Sequence, residues 1–106
     1  MAQAQSKSFK IEDLRITIFD FIKKNDYWPN HIHTSESKSN HISVVSKGKI
    51  LCHGHPEIEG RILELGQLID WPVNKEHGFE ALEDNSRLVN IVKQIIEGSD
   101  NPADYG

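Results

Sequence analysis

The chain has a single cysteine, Cys52, in 106 residues, so no disulfide forms within it and its stability has to come from a packed core. At this length the core belongs to one domain of modest size, which pairing with a second copy would supplement. A lone cysteine in a β-rich run reads as a small buried side chain. Long apolar runs are missing too. None approaches the ~18 residues a membrane-spanning helix needs. The leading MAQAQSKSFK lacks the apolar stretch of a secretory signal. A cytoplasmic location with no membrane partner is the expectation. Positive charge is sparse: the longest basic run is Lys23 and Lys24, and the net charge is −4. Nucleic acid is not an expected partner, since binding its phosphates takes a basic face. No internal repeat and no low-complexity segment occurs.

What the chain does contain is short β-branched and aromatic runs broken by turn residues, the pattern of a sandwich or barrel. Residues 14–22 (LRITIFDFI) read as a strand because Ile, Thr and Phe dominate, although Ile11, Leu14, Ile18 and Ile22 also fit helical spacing. Further strands are expected over 27–34, 41–46, 49–53, 61–65, 67–71, 77–82 and 87–92, with a turn at Glu83, Asp84, Asn85 and Ser86. Residues 94–97 extend the last strand or make one helical turn. The fold class is all-β: a jelly-roll barrel or sandwich of about eight or more short antiparallel strands. Residues 1–10 read as a flexible N-terminus, 11–97 as the barrel domain and 98–106 as a flexible tail.

Six histidines are present, and two of them form the pair His31-x-His33. On a strand that spacing points both imidazoles to one face. Imidazole is the commonest metal ligand among side chains. His53 and His55 share the spacing but flank Gly54 at a hairpin tip, where exposure is expected.

Over about residues 14–93 the chain resembles a small single-domain cupin. The first cupin motif runs Gly, five residues, His-x-His, three or four residues, Glu, six residues, Gly. Here Asn25 stands for the opening Gly, His31 and His33 supply the pair, and Gly48 closes the motif, with His41 at the Glu position. Asn tolerates the positive φ that such a turn requires. The second motif runs Gly, five residues, Pro-x-Gly, two residues, His, three residues, Asn. Gly66, Pro72, Asn74, His77 and Ala81 occupy those positions, with Asn74 for Gly and Ala81 for Asn. The interval from His33 to His41 is longer than the family's, which makes residues 35–40 an enlarged loop.

The resemblance implies a mononuclear centre built by His31, His33, His41 and His77, with Glu36 as the alternative ligand to His41. A divalent transition metal (Fe, Zn, Ni, Mn or Cu) is the implied cofactor. Neutral imidazoles leave its charge uncancelled, which favours an anionic substrate. Strand alternation puts Tyr27 and Pro29 in phase with His31, Ser43 and Val45 with His41, and Phe79 with His77. Tyr27, Ser43, Val45 and Phe79 are therefore candidate pocket residues, whereas Trp28 falls out of phase. The implied function is a metal-dependent enzyme acting on a small organic molecule, dioxygenase-like chemistry first. The alternatives are a redox-neutral isomerase or lyase and a ligand- or sugar-sensing module. A homodimer is expected, with residues 14–22 as its surface and Phe19 and Phe21 turned outward.

Overall fold

The structure, a computed structural model, describes residues 1–12, 14–31, 41–71 and 76–93. These residues form nine strands: β1 (Gln5–Ile11), β2 (Leu14–Phe21), β3 (Tyr27–His31), β4 (His41–Lys47), β5 (Lys49–His53), β6 (Ile62–Glu64), β7 (Leu68–Trp71), β8 (His77–Ala81) and β9 (Ser86–Lys93). They make two antiparallel sheets, one ordered β1-β2-β9-β4-β7 and the other β3-β8-β5-β6. The all-β jelly-roll expectation holds. No helix among the described residues is long and apolar enough to cross a membrane.

Alternation builds the core. Along β2 the burial pattern is strictly periodic, with Arg15, Thr17, Phe19 and Phe21 inward and Leu14, Ile16, Ile18 and Asp20 outward. Phe19 and Phe21 are fully buried. This corrects the expected outward turn of those two rings. β2 is also no edge strand, since β1 and β9 flank it. Facing it, Ile50 and Cys52 on β5, Leu63 on β6 and Phe79 and Ala81 on β8 close the interior. Phe19 lies 4.6 Å from Trp28 and 6.0 Å from Phe79, centroid to centroid, and so bridges the sheets.

Most of the stretch expected as a flexible N-terminus is placed as a strand. β1 pairs with β2 over seven residue pairs, from Gln5 opposite Asp20 to Ile11 opposite Leu14. Ala4 is buried and its N–H donates to the Tyr27 carbonyl at 2.7 Å. β1 is exposed along almost its whole length, so no apolar alternation announces it. The backbone ladder holds it instead. The expectations for residues 32–34, 35–40, 72–75 and 94–106 lie outside the described residues.

Both tight turns at the expected glycine positions use left-handed backbone: φ is +70° at Gly48 and +82° at Gly66. Asn25, at the position expected to take a left-handed turn, adopts φ +73°.

Candidate metal centre

The turn between β4 and β5 defines one end of the sandwich, and the inner faces change character away from it. Nearest the turn the interior is apolar, with Ile50 opposite Ala81 in one sheet and Phe21 in the other. The next layer holds Phe79, Trp28, Phe19, Leu88 and Val45. Beyond it come His77 in the smaller sheet and Thr17, Asn90 and Ser43 in the larger one. The far row of the larger sheet is Arg15, Val92 and position 41.

His77 is 1% exposed, with its ring 5.9 Å from that of Phe79. Its direct cross-strand partner on β3 is His31. Directly opposed positions of an antiparallel pair share one face of the sheet, with Cβ atoms about 4.5–5.5 Å apart. His41 occupies β4 at the same end of the facing sheet. The fold thus brings together, at one end of the barrel, the strand positions of three histidines that are far apart in sequence. His33 and Glu36 lie outside the described residues. Among the described side chains no three metal-ligating groups converge. Those of His31 and His41 are not among them.

One phase expectation is reversed. β3 does not run in unbroken register: Tyr27 pairs with Glu80 and Trp28 with Phe79, but His31 pairs with His77, so three β3 steps match two on β8. A bulge at Pro29 and Asn30 shifts the parity, as one extra residue must. Trp28 therefore shares the inner face and packs on Phe19, while Tyr27 takes the outer face at 38% exposure. Proline lacks an N–H for the ladder, which suits it to such a break.

Of the other expected pocket residues, Ser43, Val45 and Phe79 are each 1% exposed on the inner faces. Ser43 stands in the polar layer; Val45 and Phe79 form the floor beneath it. Three polar residues of this end went unnoticed in the sequence. Thr17 is fully buried and its hydroxyl lies 3.0 Å from that of Ser8. Asn90 is fully buried and its Oδ1 accepts a short hydrogen bond from the Ser43 hydroxyl. Arg15 is 6% exposed. The signal was available, because Arg15 and Thr17 are in phase with Phe19 and Phe21.

The second His-x-His pair does different work. The His53 Nδ1 lies 2.8 Å from Glu59 Oε2 and its Nε2 3.4 Å from Glu80 Oε1. This cluster is on the outer face of the smaller sheet, beside a cavity of about 490 Å³ that Tyr27, Asn25 and Asn30 also line. The Gly54 N–H, which donates to Glu59 at 3.1 Å, and then His53 hold the Glu59 carboxyl below its usual range.

No family model and no curated protein matches the chain. Solved structures do. KdgF from Halomonas sp. superposes with a TM-score of 0.70 at 22% identity, over 87% of this chain and 81% of that one. An RmlC-like cupin protein from Desulfovibrio desulfuricans gives 0.70 at 24% identity, over 86% and 83%. A recombinant oxalate oxidase solved with glycolate gives 0.71 at 15%, over 90% of this chain and 53% of that one. The chain has the cupin fold, the double-stranded β-helix in which two sheets enclose one interior.

Proposed function

We propose that the protein is a mononuclear metal-binding cupin that transforms a small organic molecule at the polar end of its barrel. Its ligands are His31, His33, His41 and His77, with dioxygen-dependent chemistry as the leading form. The observation that carries the reading is the buried His77 directly opposite position 31, with position 41 at the same end of the facing sheet. Imidazole is the commonest metal ligand among side chains, and strand positions of three histidines at one end of a barrel suit a mononuclear centre. When bound, the metal supplies a Lewis acid and, if redox-active, a centre for oxygen chemistry.

The remaining residues do the rest. Phe19, Trp28, Phe79, Val45 and Leu88 close the floor and keep bulk water from the reacting end. Ser43, Thr17 and Asn90 offer fixed polar groups at the level of His77. The small apolar floor and the few placed polar groups suit a small molecule.

Metal analysis of the purified protein tests the centre. One transition-metal ion per chain is expected, and His77→Ala lowers metal affinity by at least about tenfold without unfolding the barrel. Anaerobic Fe(II) loading followed by an oxygen-uptake screen over small organic acids tests the chemistry. A folded protein that takes up no transition metal sinks the reading. Loading without uptake sinks its oxygen-dependent form.

A further inference from the structure

We propose that the cavity on the outer face of the smaller sheet is a separate binding site, which takes a neutral polyhydroxylated ring of hexopyranose size. It lies outside the barrel interior and does not rest on the metal reading. Register builds it. Tyr27 stands opposite Glu80 on the outer face, and His53 stands opposite Gly78 one row along. The bulge at Pro29 and Asn30 brings Asn30 to the same face. A side chain at position 78 would strike the Asn30 amide oxygen, so the glycine leaves the space in which that amide lies. The result is a hollow of about 490 Å³, a volume ordinary for a small-molecule site. Asn25, Tyr27, Asn30, His53, Glu59 and Glu80 are in its lining.

The lining is held in place before any ligand arrives. The Tyr27 N–H donates to the Ala2 carbonyl at 3.0 Å and its carbonyl accepts from the Ala4 N–H at 2.7 Å, which fixes the backbone beneath the ring. Glu59 accepts from the Gly54 N–H through one oxygen and meets His53 Nδ1 through the other, so both are taken up in holding the imidazole. His53 Nε2 in turn faces one oxygen of Glu80 at 3.4 Å. Such prior ordering removes part of the entropy cost of binding. The second oxygen of Glu80, the Tyr27 hydroxyl and the side-chain amides of Asn25 and Asn30 then have no partner among the described residues.

Those free groups select the ligand. A carboxylate oxygen accepts, while the amides and the phenol both donate and accept. An anion would meet two carboxylates, with no Lys or Arg among the described lining residues to offset them. A cation only donates, and would leave both amide NH₂ groups and the phenol O–H without an acceptor. Adjacent hydroxyls of a neutral ring do both, and a pair of them matches the planar two-atom edge of an amide or a carboxylate. The Tyr27 ring, 38% exposed, supplies an apolar face for the C–H side of such a ring.

The test is a titration followed by NMR, a method suited to millimolar affinities. The methyl glycosides of glucose, galactose and mannose are added in turn to the full chain. At least one shifts the resonances of Tyr27, Asn30 and His53 and leaves those of Thr17 and Asn90, inside the barrel, in place. For that sugar Tyr27→Ala lowers affinity by roughly tenfold, and Glu80→Ala does the same. Tyr27→Phe keeps the stacking face and loses less. Both positions are on the outer face, so the barrel should fold with either change. The 6-carboxylate and 2-amino forms of the same sugar bind more weakly than the neutral one. Affinity is the same with metal loaded and after chelation, so failure of the metal reading leaves this one standing. No binding of any of the three glycosides, shifts confined to the barrel interior, tighter binding of a charged form, or an affinity that survives both Tyr27→Ala and Glu80→Ala overturns the proposal.

Discussion

Phe19→Ala should be the most damaging single truncation in the barrel. The ring is fully buried, 4.6 Å from Trp28 and 6.0 Å from Phe79, and it joins the larger sheet to the smaller one. Truncating a buried phenylalanine costs about 3–5 kcal/mol, which combines lost transfer energy with the cavity left behind. The tilted contacts with Trp28 and Phe79 contribute about 0.5–1.5 kcal/mol each within that range. A domain of this size holds about 5–15 kcal/mol in all. The loss should therefore lower the thermal midpoint by at least about 12 °C. Urea unfolding followed by circular dichroism measures it, with wild type and variant at matched concentrations because pairing would add stability. Leu65→Ala is the control: that side chain is 69% exposed and its truncation should cost within about 0.5 kcal/mol. A Phe19→Ala cost no larger than the Leu65→Ala cost would refute the inward phase of β2, and with it the inner-face positions of Arg15 and Thr17.

Gly48→Ala should destabilise by about 2 kcal/mol in thermal unfolding, because φ is +70° and a Cβ there comes within 2.9 Å of the Ser86 Cα, besides striking its hydroxyl. Gly66→Ala, with φ +82° and nothing near the added methyl, should cost about 1 kcal/mol; equal costs would contradict the contact. Asp26 accepts bonds from the Ala2 and Lys23 N–H groups, in that order of effect, which hold its carboxyl below the ordinary 3.8. A depressed folded pKa stabilises above the unfolded value and the gain is lost as pH falls through the folded one. The stability gap between wild type and Asp26→Asn should therefore be constant near neutrality and shrink below the ordinary value; a gap that does not change down to about pH 3 would contradict this. Burial pushes the Cys52 thiol up to about 12, so a thiol reagent at mildly alkaline pH should label it only after denaturation. Labelling of the folded chain at the rate of the unfolded one would show the interior to be open.

The barrel was legible because its signals are local. β-branched runs, turn clusters and the glycine and asparagine positions at residues 25, 48 and 66 each report on a few neighbouring residues, and those turns appear as expected. β1 was not legible: its side chains are mostly exposed, and the ladder with β2 that orders it has no side-chain pattern. The alternation in LRITIFDF was visible, but not which phase points inward, because both faces of this strand carry apolar residues.

By itself the sequence determined which residue types could make the centre and at what spacing: His31, His41 and His77 on strands, with turns where the backbone must reverse. Only the tertiary structure decided which of them face each other. Register set His31 opposite His77, and the bulge at Pro29 and Asn30 exchanged the faces of Tyr27 and Trp28. Register also aligned Arg15, Asn90 and Ser43 into the lining of the same end. Strand pairing is a contact between segments far apart in the chain, and one inserted residue inverts every side chain beyond it.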